Sequence, residues 1–393
     1  MTPATDTSIA GIRSVPAQRK GQVPRFSSPK LPSWNAVQKI YRGAYRVAQV
    51  TNGALVARFE AAAAERLRVR HCVAVSSCTS GLMLTMKALG LKGEVIMPSF
   101  TAFATGMAAL WTGLKPVYAD CNPDTWNIDP LDAAKRVNRK TCAILGVHLY
   151  GNPCDVEGLS SIASMSRIKL IFDAAHAFGS SHLGQPIGSF GDAEVFSLSP
   201  TNLLTAGEGG LITTNDSSLA ARLTAARNYG DLGAYDPILQ GMNARMPEFN
   251  AAMGIAGLDA VDAKVQRHNR IASKYTRLLT GTPGVSFQTV KRGDISTYKD
   301  YSVVIDDDRF GMSRNQLVES LMARGIETRK YFYPPLHMQR LLGSHHTHDQ
   351  PGLPFTEKTS GGILSLPIYH KLPVSAVRTV SRAIKTQSRH PEH

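Results

Sequence analysis

Lys169-Leu170-Ile171-Phe172-Asp173-Ala174-Ala175-His176-Ala177-Phe178-Gly179 is a short apolar run closed by a carboxylate and followed by small residues around one histidine. Three consecutive bulky apolar residues leave no polar face, as in a strand buried on both sides of a parallel sheet. A carboxylate at the C-terminal end of an inner parallel strand sits in the crevice where α/β proteins bind ligands. Such a group would pair well with a protonated ring nitrogen. It could equally cap the loop that follows, and this stretch alone leaves both roles open.

Six further runs of the same character lie at 71–77, 94–98, 115–120, 142–148, 193–199 and 210–215. They alternate with helix-like segments, which predicts an α/β domain built on a mostly parallel seven-stranded sheet. Leu82, Met86 and Leu89 recur at helical spacing and Gly90 follows as a stop, so a helix is expected over 79–89. After about residue 255 the pattern changes to a long charged helix (258–279), short strands near 285–289 and 302–305, and a helix over 313–324. The expected organisation is a basic arm at 1–50, a large α/β domain at 51–257 and a smaller α+β C-terminal domain at 258–393.

A chain of 393 residues with 43% hydrophobic and 19% charged residues can bury a large core and fits no fibrous or wholly disordered class. Its formal charge is +14, and residues 1–59 carry nine Lys or Arg against Asp6 alone. That arm reads either as a solvated extension or as an attractor for an anionic substrate such as a nucleotide-linked sugar. Nucleic acid is not expected as a partner, because no helix-turn-helix, zinc-finger or aromatic RNA-binding signature is present. Five cysteines without a CxxC pair fit a reducing cytoplasm, and no apolar leader occurs in the first thirty residues. Residues 95–114 carry no charge, but Pro98, Gly106, Gly113 and several hydroxyls favour a strand leading into a helix over a membrane span. The group His345, His346, His348 and Asp349 lies in a Gly, Ser and Pro loop without zinc-like spacing, and no metal site is expected. Phosphate-loop, GxGxxG, GxSxG and HExxH motifs are all lacking.

Ser76-Ser77-Cys78-Thr79-Ser80-Gly81 stands where the first strand ends and a helix begins, a place whose free N–H groups suit a phosphate monoester or a plain N-cap. Further along come Ser197-Leu198-Ser199-Pro200-Thr201-Asn202 and Gly207-Glu208-Gly209-Gly210. With these, Pro98-Ser99-Phe100-Thr101, Val147-His148-Leu149-Tyr150-Gly151, Gly241-Met242-Asn243 and Leu364-Ser365-Leu366-Pro367, the chain resembles the DegT/DnrJ/EryC1/StrS sugar aminotransferases from about residue 53 to 373. These are pyridoxal-phosphate (PLP) enzymes of fold type I, acting on nucleotide-linked sugars of polysaccharides and antibiotics. The resemblance implies that Thr79, Ser80 and Ser197 hold the cofactor phosphate, with Cys78 beside them. It implies that Asp173 pairs with the pyridinium nitrogen and that His176 lies near the ring hydroxyl. Asn243 would reach the cofactor phosphate of a neighbouring subunit, which implies a homodimer with shared active sites.

Two departures bear on chemistry. The Schiff-base lysine of the family falls at position 202, and this chain has Asn202, an amide with neither a nucleophilic amine nor a titratable proton. The aromatic residue that stacks on the cofactor ring is displaced: Ala102 holds its place, and Phe103, one position later, is turned by roughly 100 degrees on a helix. Three readings follow. The first is an enzyme that holds PLP or pyridoxamine phosphate (PMP) non-covalently for lysine-independent chemistry such as dehydration of a keto sugar, with Asn202, His176 and Asp173 at its centre. The second is a sugar aminotransferase altered or inactivated at Asn202, and the third a catalytically silent binding or regulatory homologue.

Overall fold

A computed structural model describes residues 25–345 and 352–388. The seven apolar runs form β1 (His71–Val75), β2 (Glu94–Pro98), β3 (Lys115–Ala119), β4 (Thr141–Val147), β5 (Lys169–Asp173), β6 (Ala193–Ser197) and β7 (Gly210–Thr214). They make one sheet in the order β1-β7-β6-β5-β4-β2-β3. Pairs from β3 through β6 are parallel, and β7 runs antiparallel to both β6 and β1. The sheet is therefore mostly parallel, as the doubly buried runs require.

In β5 the side chains alternate between two cores. Ile171 packs with Val75, Leu145 and Val195 on one face, and Phe172 with Ile96, Val117 and Ile144 on the other. Full burial of each such side chain contributes about 1.5–3 kcal/mol. The uncharged stretch at 95–114 resolves into β2 and the helix α4 (Phe103–Trp111), and no helix among the described residues is long and apolar enough to cross a membrane.

Of the N-terminal arm, residues 1–24 lie outside the described part. The remainder is folded rather than simply solvated. Helix α1 (Trp34–Arg46) lays Trp34 and Tyr41 against Phe249. Phe26 is buried, with its ring edge-on to Tyr331 and its N–H donated to Glu327. The next helix, α2 (Ala54–Leu67), has glycine at its N-cap, so its free N–H groups need an acceptor from elsewhere. Fully buried Glu248 supplies it, accepting from the N–H groups of Gly53, Leu55 and Val56 at 2.8–3.0 Å.

The second unit is an antiparallel sheet of β8 (Val285–Phe287), β9 (Tyr301–Ile305) and β10 (Ile363–Leu366). Helices α6 (Val261–Leu279), α7 (Arg314–Ala323) and α8 (Val374–Lys385) cover it, burying Tyr275, Leu317, Val377 and Ile384 against Val303 and Leu364. The long charged helix starts at Val261, a separate helix, α5 (Glu248–Leu258), having ended just before it. Of the histidine-rich loop, positions 346 to 349 lie outside the described residues, and no cluster of potential metal ligands occurs among those described.

Candidate active site

The parallel strands end together at one rim, where Asp173 closes β5 and Ser197 closes β6. Opposite them the Ser76–Gly81 turn opens the helix α3 (Cys78–Ala88). Gly210 sits beside Ser197 in the sheet, and any side chain there would meet the backbone of Ser77 and Cys78 at 2.7–2.8 Å. The missing Cβ is what lets the serine turn approach the strand ends.

The hydroxyls of the turn divide their labour. Ser77 and Ser80 form a reciprocal capping box, and the Ser80 hydroxyl also donates to Ser77 O at 2.9 Å. Ser80 thus shapes the turn, while the side chain of Thr79 has no hydrogen-bond partner among the described residues. Ser197 Oγ accepts the Ser199 N–H at 3.3 Å. Together with the N-terminus of α3, these groups form a cup of donors of the kind that binds an anion.

Asp173 is 5% exposed, accepting the Thr105 hydroxyl at 2.7 Å and the Ala175 N–H at 3.0 Å, and has no basic side chain within ion-pair distance among the described residues. Burial pushes its carboxyl above the usual carboxylate range, against the pull of those two hydrogen bonds. Cys78 lies beside it, Sγ at 3.9 Å from one carboxylate oxygen. Burial, then the Asp173 charge, raise the Cys78 thiol far above its ordinary value, so it stays protonated. A buried carboxylate without a basic partner fits a ligand that brings its own N–H.

His176 stands nearly parallel to the rings of Tyr150 and Phe332, with centroids 6.5 and 6.4 Å away. Its backbone carbonyl accepts the Thr297 hydroxyl at 2.6 Å, tying the loop to the segment that carries Lys299. Gly151 (φ +90°) allows this approach, since a Cβ there would lie 1.8 Å from Thr297 Oγ1. Burial, and then the Lys299 ammonium, lower the imidazole to about 4, so it is neutral at pH 7 and able to accept a proton. His268 on α6 is likewise lowered to about 4 by burial. Unfolded imidazoles take up protons near pH 6.5, whereas these two resist until about 4. Stability is therefore expected to fall as pH drops from about 6.5 to 4. Urea midpoints across that range check this, and His268→Gln should flatten the slope.

Asn202 folds back onto the strand end: its amide donates to Ser197 O at 2.8 Å and Ser199 Oγ at 3.3 Å. At the strand ends Cys78 thus meets Asp173, Asn202 meets Ser197, and Gly210 sets the serine turn against Ser197, while His176 follows Asp173 on the next loop beside Tyr150 and Phe332. Phe103, also expected among the cofactor-binding residues, has its ring 64% exposed within one chain, and Thr105, two positions on and roughly 200 degrees round the helix, is the α4 residue that meets Asp173. Asn243 is exposed, on a segment joined to the serine turn by the Ser76 N–H to Ala244 O bond. Sequence reasoning missed Thr105, whose spacing from Thr101 was the available signal. It also missed the buried pair Lys299 and Asp300, joined at 3.1 Å, for which no local pattern gave a cue.

A mostly parallel sheet with an antiparallel edge, a second α+β unit and a ligand crevice at the strand ends define a fold type I protein of the PLP-dependent class. The chain belongs to the DegT/DnrJ/EryC1/StrS aminotransferase family, whose sequence pattern matches residues 35–385. It is 33% identical to the dTDP-4-amino-4,6-dideoxy-D-glucose transaminase of Escherichia coli, over 85% of this chain and 90% of that one. It is 31% identical to the GDP-perosamine synthase of Vibrio cholerae, over 85% and 91%. The crystal structure of DesI in the presence of its TDP-sugar product superimposes with a TM-score of 0.88 at 37% identity, covering 94% of both chains.

Proposed function

We propose that this chain acts on a nucleotide-linked keto or amino sugar and holds PLP or PMP non-covalently, for lysine-independent chemistry of which PMP-dependent dehydration is the leading case. The observation that carries the reading is the contrast between Asp173 and Asn202. The first is a buried carboxylate kept without a basic partner, which suits a pyridinium N–H. The second, at the position of the family's lysine, is an amide committed to Ser197 O.

The bound cofactor would supply an electron sink. Asp173 would keep its ring nitrogen protonated, and Thr79, Ser197 and the N-terminus of α3 would hold its phosphate. Cys78 and Ser80 would support this cup by packing and capping. His176, neutral at pH 7, would lie near the ring hydroxyl, and any proton transfer would fall to it, to a bound water or to the substrate itself. Exposed Asn243 would complete the phosphate site of a second subunit in a homodimer. The reading includes a cytoplasmic setting and a division into an arm (1–50), a large domain (51–257) and a small domain (258–393).

Titration of the purified protein with PLP and with PMP, followed by absorbance and then borohydride, tests it. Saturable uptake of at least one form is expected, with no cofactor fixed to the chain. A borohydride-fixed product, or no uptake of either form, overturns the reading.

A further inference from the structure

Asn202 also lines a small cavity, of about 30 Å³. The charged and titratable groups along it are Lys30, Lys264, His268, Lys299, Asp300, Tyr369 and His370. Lys299 and Asp300 neutralise each other at 3.1 Å. Burial lowers His268 to about 4, and burial together with the cations Lys30, Lys264, Arg267 and Lys371 lowers His370. Two ammonium groups are left over.

Lys264 is only 5% exposed, and its Nζ donates to Leu203 O at 2.6 Å and Lys30 O at 3.2 Å. Both acceptors are carbonyls; no carboxylate pairs with it among the described residues. An ammonium buried without a counter-charge is costly. Burial, then the neighbouring Lys30, accordingly lower its proton affinity to about 8. Lys30, at the mouth, lies 3.0 Å from His370 Nε2. An ammonium only donates, so Nε2 must accept, which puts the ring proton on Nδ1, and that atom is buried without an acceptor. The spare hydrogen-bonding capacity of this trio is thus all donor.

We propose that this cavity is a seat for a small oxyanion, a sulfate, phosphate or carboxylate group, held between Lys264 and Lys30. The anion supplies the missing counter-charge. It also joins three distant segments: the arm at Ser27 to Lys30, the loop carrying Asn202, and the small-unit turn at His370. Asn202 borders both places, but the two ammonium groups that form the seat are not among the groups proposed to hold the cofactor.

Calorimetric titration with sulfate at pH 7 tests it, on the wild type and on Lys264→Met, Lys264→Arg, Lys30→Gln and Ser197→Ala. Saturable binding is expected in the wild type, weakened at least tenfold by Lys264→Met, retained by Lys264→Arg, and reduced several-fold by Lys30→Gln. Lys30→Gln alters an exposed side chain and decides the matter if Lys264→Met fails to fold. Ser197→Ala keeps the seat. Should sulfate be bound equally by wild type, Lys264→Met and Lys30→Gln, or not at all, the seat does not exist. If Ser197→Ala alone abolishes binding, the anion occupies the cofactor cup; the seat then fails while the proposed function stands. Displacement of sulfate by glutamate would assign the seat to a carboxylate, and resistance to displacement would assign it to a tetrahedral oxyanion.

Discussion

Asn202→Lys is expected to create a borohydride-fixable link between residue 202 and PLP that the wild-type protein lacks, and to bring glutamate-dependent amination of a nucleotide-linked keto sugar. The local structure favours it. The Asn202 amide already turns toward Ser197 at the end of β6, so a longer side chain leaving the same Cα starts along the crevice. Lys264 lines the same cavity as position 202, and a cation nearby depresses the proton affinity of a new ammonium, which frees more neutral amine at pH 7. Restoring a proton carrier typically raises a rate by roughly 10²–10⁴-fold, and an increase of that order in amination is expected. The measurement is mass analysis of the borohydride-treated protein together with amine transfer from labelled glutamate. If the variant binds PLP no better than a surface-lysine control, the crevice is not a cofactor site and the proposed function falls with it.

How much of this was legible in the sequence depends on the range of the physics. The seven strands were readable because each is buried on both faces, so its apolar residues are contiguous and need no partner to be recognised. Asp173 and the serine turn were readable because a carboxylate after Leu170-Ile171-Phe172 and hydroxyls before a helix are local signals. Strand β10 was not picked out as a strand, since Ile363-Leu364-Ser365-Leu366 is four residues long and follows directly on a helix. Lys264 was not singled out: it belongs to a helix read as charged, where charge is normally solvated, yet its ammonium is carried inward to the carbonyl of Leu203. The meeting of residues 30, 203, 264 and 370 is set by the packing of two units and an arm, and no periodicity encodes it. The turn of Phe103 away from the place of the stacking ring was legible, because one step along a helix rotates a side chain by roughly 100 degrees, and its ring is exposed.

Asp173→Asn is expected to move two observables in opposite directions, which separates a functional carboxylate from a structural one. In the unliganded protein the change is conservative in shape. One amide end still accepts the Ala175 N–H, and the other can donate to the Thr105 hydroxyl, which also pairs with Thr101 at 3.3 Å. Because burial raises the Asp173 carboxyl above its unfolded value, the native state holds the charged form less readily than the unfolded state does. At pH 7 the ionised carboxylate therefore opposes folding. Its penalty is relieved as pH falls through the raised value and the group takes up a proton. The asparagine variant should accordingly melt at the same temperature as the unliganded wild type or higher at pH 7, with the difference closing in acid. Cofactor binding should suffer instead, since the pyridinium loses a charge-assisted hydrogen bond worth about 1.5–3 kcal/mol, or roughly 10- to 150-fold in affinity. Melting curves with and without PLP or PMP report both quantities in one experiment. A variant that melts lower while binding cofactor normally would make Asp173 a loop cap, the other role that its position at the end of β5 allows.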